Sequence, residues 1–117
     1  MKLAVVGSRN FHNYMLVEKE LNKFDFDLMI SGGAIGADSL GERYAFVHNI
    51  ETLIFKPDWN KHGRSAGFIR NKLIVDECDT LIAFWDFESK GTKNSIDTAK
   101  KMGKTVIVIN TSREDLF

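Results

Sequence analysis

Leu28-Met29-Ile30-Ser31-Gly32-Gly33-Ala34-Ile35-Gly36-Ala37-Asp38 is the stretch on which the fold turns. An apolar run leads through Ser31 into Gly32, Gly33 and Gly36, and the glycines lead into a segment of helical pattern. A strand with one wet face alternates, whereas an unbroken apolar run suits a strand covered on both faces, as in a parallel sheet. Beyond the glycines, Ala37, Leu40, Gly41, Tyr44, Ala45 and His48 recur at three-to-four spacing, the period of a helix face. The stretch reads as one βα unit with a glycine-rich turn at its joint.

The same unit repeats in both directions. Strands are predicted at Leu3–Val6, Leu28–Ile30, Thr52–Phe55, Thr80–Phe84 and Thr105–Ile109. Helical spacing links Tyr14, Val17, Leu21 and Phe24, then Ala66, Ile69 and Leu73, then Ile96, Ala99 and Met102. Gly103 stands where a helix-ending glycine belongs. The order βαβαβαβαβ with right-handed crossovers predicts an α/β fold. Its form is a Rossmann-like, doubly wound parallel five-stranded sheet of order 3-2-1-4-5, with helices on both faces. The switch point falls between the first and fourth strands. No repeat, low-complexity segment or linker interrupts residues 1–117, so a single domain is expected. The longest irregular piece is Lys56–Gly63, long enough to be functional. The tail Thr111–Phe117 is expected to fray.

The chain is 44% hydrophobic and 27% charged, with sixteen basic and sixteen acidic residues. A net charge of zero disfavours broad nonspecific nucleic-acid binding, which needs a basic excess. Cys78 is the only cysteine, so no internal disulfide forms and a reducing, cytoplasmic compartment is expected. Met1-Lys2 leads directly into Leu3–Val6 with no signal-peptide pattern, and no apolar run approaches the roughly 20 residues of a membrane helix. No contact with a membrane is expected.

In a parallel sheet every strand ends at the same edge, where open α/β sheets bind ligands. Residues 7–9, 31–38, 57–71 and 85–92 are thereby gathered at one rim. Gly7-Ser8-Arg9 supplies a tight turn, a hydroxyl and a planar fork for phosphate or carboxylate; equally it reads as a βα turn with a solvated arginine. The amides of Ser31, Gly32, Gly33 and Gly36, with the helix N-terminus behind them, make an anion cradle. The loop is neither a Walker loop nor a dinucleotide fingerprint, and no cofactor is expected. Asp38 could hold that loop, cap amides or bind a sugar hydroxyl; its plain alternative is helix-dipole stabilisation of about 0.3–1 kcal/mol. Trp59 stands in a loop where it could stack on a base or cover a partner. Arg70 and Asn71 follow the small pair Ala66-Gly67, and Arg70 is expected to face the rim because Ile69 beside it faces the core. Trp85-Asp86 ends the fourth strand, and Gly91-Thr92 opens the next helix with another amide and hydroxyl cluster. Asp86 at the switch point suits sugar binding or acid–base chemistry; it could equally cap a turn, with Trp85 packed beneath. No zinc spacing, paired-histidine helix or nucleophile elbow is present, so no metal is expected.

These motifs resemble the YspA-related branch of the SLOG superfamily, the Rossmann-like group named for the Smf/DprA proteins and the Lonely Guy phosphoribohydrolases. The resemblance rests on Gly7-Ser8-Arg9-x-Phe11, Ser31–Asp38, Asp58-Trp59, Gly63-x-x-Ala66-Gly67-x-x-Arg70-Asn71, Ala83–Asp86 and Gly91-Thr92. It implies a nucleotide or nucleotide-derived ligand at the rim, a bacterial or phage source and a possible homodimer. Lonely Guy enzymes cleave the N-glycosidic bond of nucleoside monophosphates, with a glutamate three residues after Gly-Thr. The corresponding residue here is Ser95, and the preceding Pro-Gly-Gly is absent. Glycosidic cleavage passes through an oxocarbenium-like state that a carboxylate stabilises. Asp86, Asp58 or Asp38 would have to take that part.

The first reading is therefore a nucleotide-derivative-binding domain. Gly32, Gly33 and Gly91 amides, Ser8 and Thr92 hold phosphate, Arg9 and Arg70 neutralise it, Asp38 or Asp86 meets ribose, and Trp59 or Trp85 stacks on the base. The second is an N-glycosidic hydrolase with Arg70 and Asp86 as catalytic residues. The third is a single-stranded nucleic-acid or protein-interaction module using Trp59 and the basic run Lys61–Arg64; nucleic acid is not favoured.

Overall fold

The computed structural model describes residues 1–112; residues 113–117, most of the tail expected to fray, lie outside the described residues. Five parallel strands, β1 (Lys2–Gly7), β2 (Leu28–Ser31), β3 (Glu51–Ile54), β4 (Thr80–Trp85) and β5 (Thr105–Asn110), form one sheet in the order β3-β2-β1-β4-β5. Five helices connect them: α1 (Tyr14–Leu21), α2 (Ala37–Val47), α3 (Trp59–His62), α4 (Ala66–Glu77) and α5 (Lys90–Lys101). The expected α/β architecture, strand order and two-sided helical cover are all present.

The continuous apolar strands split by parity into two cores. Leu3, Val5, Met29, Ile82 and Phe84 pack under α1 and α2 with Val17, Leu21, Tyr44 and Ala45. Ala4, Val6, Ile30, Leu81 and Ala83 pack under α4 and α5 with Ile74, Val75, Ile96 and Ala99. Alternate residues of each central strand thus serve opposite faces. The register Gly7↔Phe84 sets the ends of β1 and β4 side by side at the switch point.

Two expectations are corrected. The piece Lys56–Gly63 is not irregular throughout. Asp58 accepts a hydrogen bond from the Lys61 amide at 3.1 Å and caps α3, and a 3₁₀ turn, Gly63–Ser65, joins it to α4. One short capped turn inside a loop leaves no apolar period to read. In α4, Ile69 and Leu73 are exposed rather than in the core, and the buried residues are Ala66, Asn71, Ile74 and Val75. A helix buries the stripe that meets its neighbours, and here that stripe includes a polar residue that bonds to α5. Arg70 does turn inward, but because it shares a face with Ala66 and Ile74 at four-residue spacing, not because of Ile69.

Candidate functional site

The rim is built from the loops that leave β1, β2 and β4, from the first turns of α2 and α5 and from the second turn of α4. Ser8, 1% exposed, ties three of these together. Its amide donates to the Phe84 carbonyl at 3.1 Å, its carbonyl accepts from the Phe11 and Ala37 amides, and its hydroxyl accepts from the Asp86 amide at 3.3 Å. Close approach depends on glycine. A Cβ on Gly7 would stand 2.6 Å from the Cβ of Ala37 and would strike the Phe84 carbonyl. Gly36, at φ +83°, presses against the Ser8 and Arg9 carbonyls, so no side chain fits there either.

Arg70 and Asp38 converge on Gly32, each on one of the two peptide groups that flank its Cα. The Gly32 amide donates to Asp38 Oδ2 at 2.8 Å, and the Gly32 carbonyl accepts from Arg70 Nη1 at 2.6 Å. Arg70 Nε donates to Asn71 Oδ1 at 2.9 Å, while Asn71 Nδ2 donates to the Gly91 carbonyl and to Asn94 Oδ1. Asn71 therefore aims Arg70 and couples α4 to the first turn of α5. That turn is capped by Ser89, whose hydroxyl accepts from the Thr92 amide at 3.3 Å.

A cavity of about 80 Å³ opens among these groups, lined by Gly7, Arg9, Ala34, Asp38, Arg70, Asn71, Ser89, Gly91, Thr92 and Ser95, with Val6 and Ile74 as its apolar floor. One water needs about 10–15 Å³ of such space, so the cavity admits a group of a few heavy atoms, such as a tetrahedral oxyanion, rather than a whole nucleotide. A larger cleft of about 550 Å³ lies on the other side of the loops after β1 and β4, lined by Asn10, Phe11, His12, Asn13, Asp86, Glu88, Thr111 and Ser112. That volume falls in the ordinary range for a small-molecule site.

Charge divides the two spaces. Arg9 and Arg70 are both in the small cavity, whereas among the described residues the cleft is lined by two carboxylates and no arginine or lysine. Burial pushes the Asp38 carboxyl up to about 6, against the lowering effect of the Gly32 and Ala34 amides and of Arg70, with Glu42 adding to the rise. Burial likewise draws the Arg70 guanidinium down, Asp38 opposing this and Arg9 reinforcing it. For Asp86 burial works upward too, but the Ser89 and Glu88 amides and the Ser8 hydroxyl outweigh it, holding the carboxyl below its usual range.

Asp38 gives the fold a pH dependence of defined sign. Its folded value lies above the unfolded 3.8, so the folded state binds the proton more tightly. Stability falls as pH rises from about 4 to about 6 and then levels, by at most about 3 kcal/mol from this group. Urea unfolding at pH 4.5 and pH 7 should show this loss in the wild type and a flatter profile in Asp38→Asn. Equal pH dependence in both proteins would exclude Asp38 as its source.

Of the residues singled out from sequence, Gly7, Arg9, Asp38, Arg70, Asn71, Gly91 and Thr92 line the small cavity, and Asp86 lines the cleft. Ser8, Ser31, Gly32 and Gly36 are buried behind these walls and shape the loops: Ser31 Oγ, for example, donates to Glu42 Oε2 at 2.8 Å. Gly33 is exposed beside Lys56. Trp59 is half-exposed on α3 and lines neither space. Trp85 donates its indole N–H to the Ser89 carbonyl at 3.0 Å and stacks on Phe87. Sequence reasoning gave no site role of their own to Ser89 and Ala34 in the cavity or to Asn10, His12, Asn13, Glu88, Thr111 and Ser112 in the cleft. All of them follow a strand end, the same signal that marked the others.

A model of the YspA, cpYpsA-related SLOG family matches residues 1–62. The chain belongs to this family. Gene 61 protein of Mycobacterium phage D29 is 30% identical, over 91% of this chain and 94% of its own length. The SLOG match takes in β1, β2 and both of their glycine turns, and the phage relative extends the likeness across most of the fold. SLOG membership is in keeping with a nucleotide-related ligand. Among the described residues, no helix is long and apolar enough to cross a membrane.

Proposed function

We propose that this SLOG domain binds a nucleotide or nucleotide-derived molecule at the rim of its sheet, with a phosphate in the small cavity. The observation that carries this is the pairing of Arg9 and Arg70 with the capped N-terminus of α5 around a space of oxyanion size. The sugar and base then extend over the loops after β1 and β4 toward the polar cleft. Neither tryptophan lines either space, which favours polar contacts over stacking there. Function as a sensor or ligand-carrying domain needs no more than this.

A second reading, hydrolysis of an N-glycosidic bond, is favoured by Asp86. It is held in the charged form on the wall of the cleft, where a sugar leaving the small cavity would lie. Incubation with nucleoside monophosphates, dinucleotides and cyclic nucleotides, followed by mass spectrometry, separates the two. An intact ligand retained on the protein supports binding, whereas free base that disappears with Asp86→Asn supports hydrolysis. No retained ligand and no product would count against both.

A further inference from the structure

An anion site made only for charge would hold donors and cations, but this one also holds a carboxylate. Asp38 is 5% exposed and cannot swing out to solvent. It lines the cavity beside Arg70, and the two converge on one residue, Gly32, without forming an ion pair within 4 Å among the described residues. We infer that the cavity takes its phosphate together with a proton held between Asp38 and a ligand oxygen. The site would thereby select terminal phosphate groups over sulfate and phosphodiesters. This rests on the reading of the cavity as a phosphate site.

The argument is one of donors and acceptors. An ionised carboxylate only accepts, with about four lone-pair directions. The Gly32 amide uses one of them, at 2.8 Å, which leaves acceptor capacity toward the cavity. A fully deprotonated oxyanion placed there would set like charges against each other beside a buried carboxylate. A ligand oxygen carrying a proton turns that repulsion into a charge-assisted hydrogen bond. Inorganic phosphate and phosphomonoesters can carry one near neutral pH. Sulfate and phosphodiesters cannot.

The charged surroundings of Asp38 agree. Arg70 faces it from α4, with Arg9 of the loop after β1 alongside Arg70. Glu42, one turn along α2, adds negative charge, and Lys56 beyond β3 packs over Gly33. From α5 the cavity receives only Gly91, Thr92 and Ser95, which carry no charge. Two arginines set against one carboxylate in the cavity wall match a ligand bound as a monoanion with one shared proton.

Calorimetric titration of the full chain with inorganic phosphate and with sulfate tests the inference. At pH 7 phosphate should bind about 10- to 100-fold more tightly, the range expected for one hydrogen bond to a charged group. Asp38→Asn keeps an acceptor for the Gly32 amide and adds an N–H toward the cavity, so it should bind both ions alike. Should that variant fail to fold, the wild type alone decides. Its affinity for phosphate should fall between pH 6 and pH 8, with proton uptake seen in buffers of different ionisation heat. Equal affinity of the wild type for both ions, or phosphate binding that is level across that range, would overturn the inference and leave the phosphate site standing. Failure of either ion to bind would overturn both.

Discussion

Replacing Phe84 by alanine is expected to remove about 3–5 kcal/mol of stability, a large part of the ~5–15 kcal/mol available to a domain. Phe84 is fully buried on β4, and its ring stacks on Phe11 with centroids 5.3 Å apart. Phe11 is the apolar floor of the larger cleft, and the Phe84 carbonyl receives the Ser8 amide. The cavity left by truncation would sit directly beneath the two loops that divide the binding spaces. Surrounding atoms cannot fill it, because Gly7 and Ala37 are already at closest approach beside it. Urea unfolding should show a lower midpoint with an unchanged slope. A loss below about 1 kcal/mol would mean that the switch-point core is not packed as described.

Arg70→Ala should abolish stabilisation by a phosphorylated ligand. At a concentration of 100 times the dissociation constant, that stabilisation is about 2.7 kcal/mol in the wild type. Truncation also leaves the Gly32 carbonyl without its donor, so the free variant should itself be less stable by about 1–3 kcal/mol. The ligand-dependent difference separates binding from this intrinsic loss. Arg70→Lys should recover only part of it. A lysine carries the charge, but its single ammonium cannot reproduce the planar fork that reaches both the Gly32 carbonyl and Asn71 Oδ1. An undiminished ligand shift in Arg70→Ala would remove Arg70 from the site.

Why the sheet was legible, and parts of the rim were not, follows from the range of the forces involved. Runs such as Ala4–Val6 and Leu81–Phe84 are buried on both faces, so their composition alone declares parallel strands, and the crossover rule then limits their order. Gly7 and Gly36 could be recognised because a turn under steric pressure admits no other residue. Ile69 and Leu73 misled because helical spacing shows that a face exists, not whether a neighbour covers it. Asp38 was ambiguous for a related reason. Its position in the first turn of α2 fits helix-dipole stabilisation, and only the arrival of Arg70 from α4, thirty-two residues later in the chain, makes it part of a cavity wall. Trp85 reads from the sequence either as a stacking platform or as packed beneath the loop, and its bond to the Ser89 carbonyl, which fits the second, is a contact that no spacing rule encodes.

The central claim is that the small cavity holds the phosphate of the ligand. The most direct test is calorimetric titration with a set of nucleoside 5′-monophosphates and with their parent nucleosides. The account predicts that at least one monophosphate binds, and that its nucleoside binds at least about 100-fold more weakly, the loss expected when Arg70 and Arg9 no longer meet an anion. A nucleoside that binds as tightly as its monophosphate would contradict it.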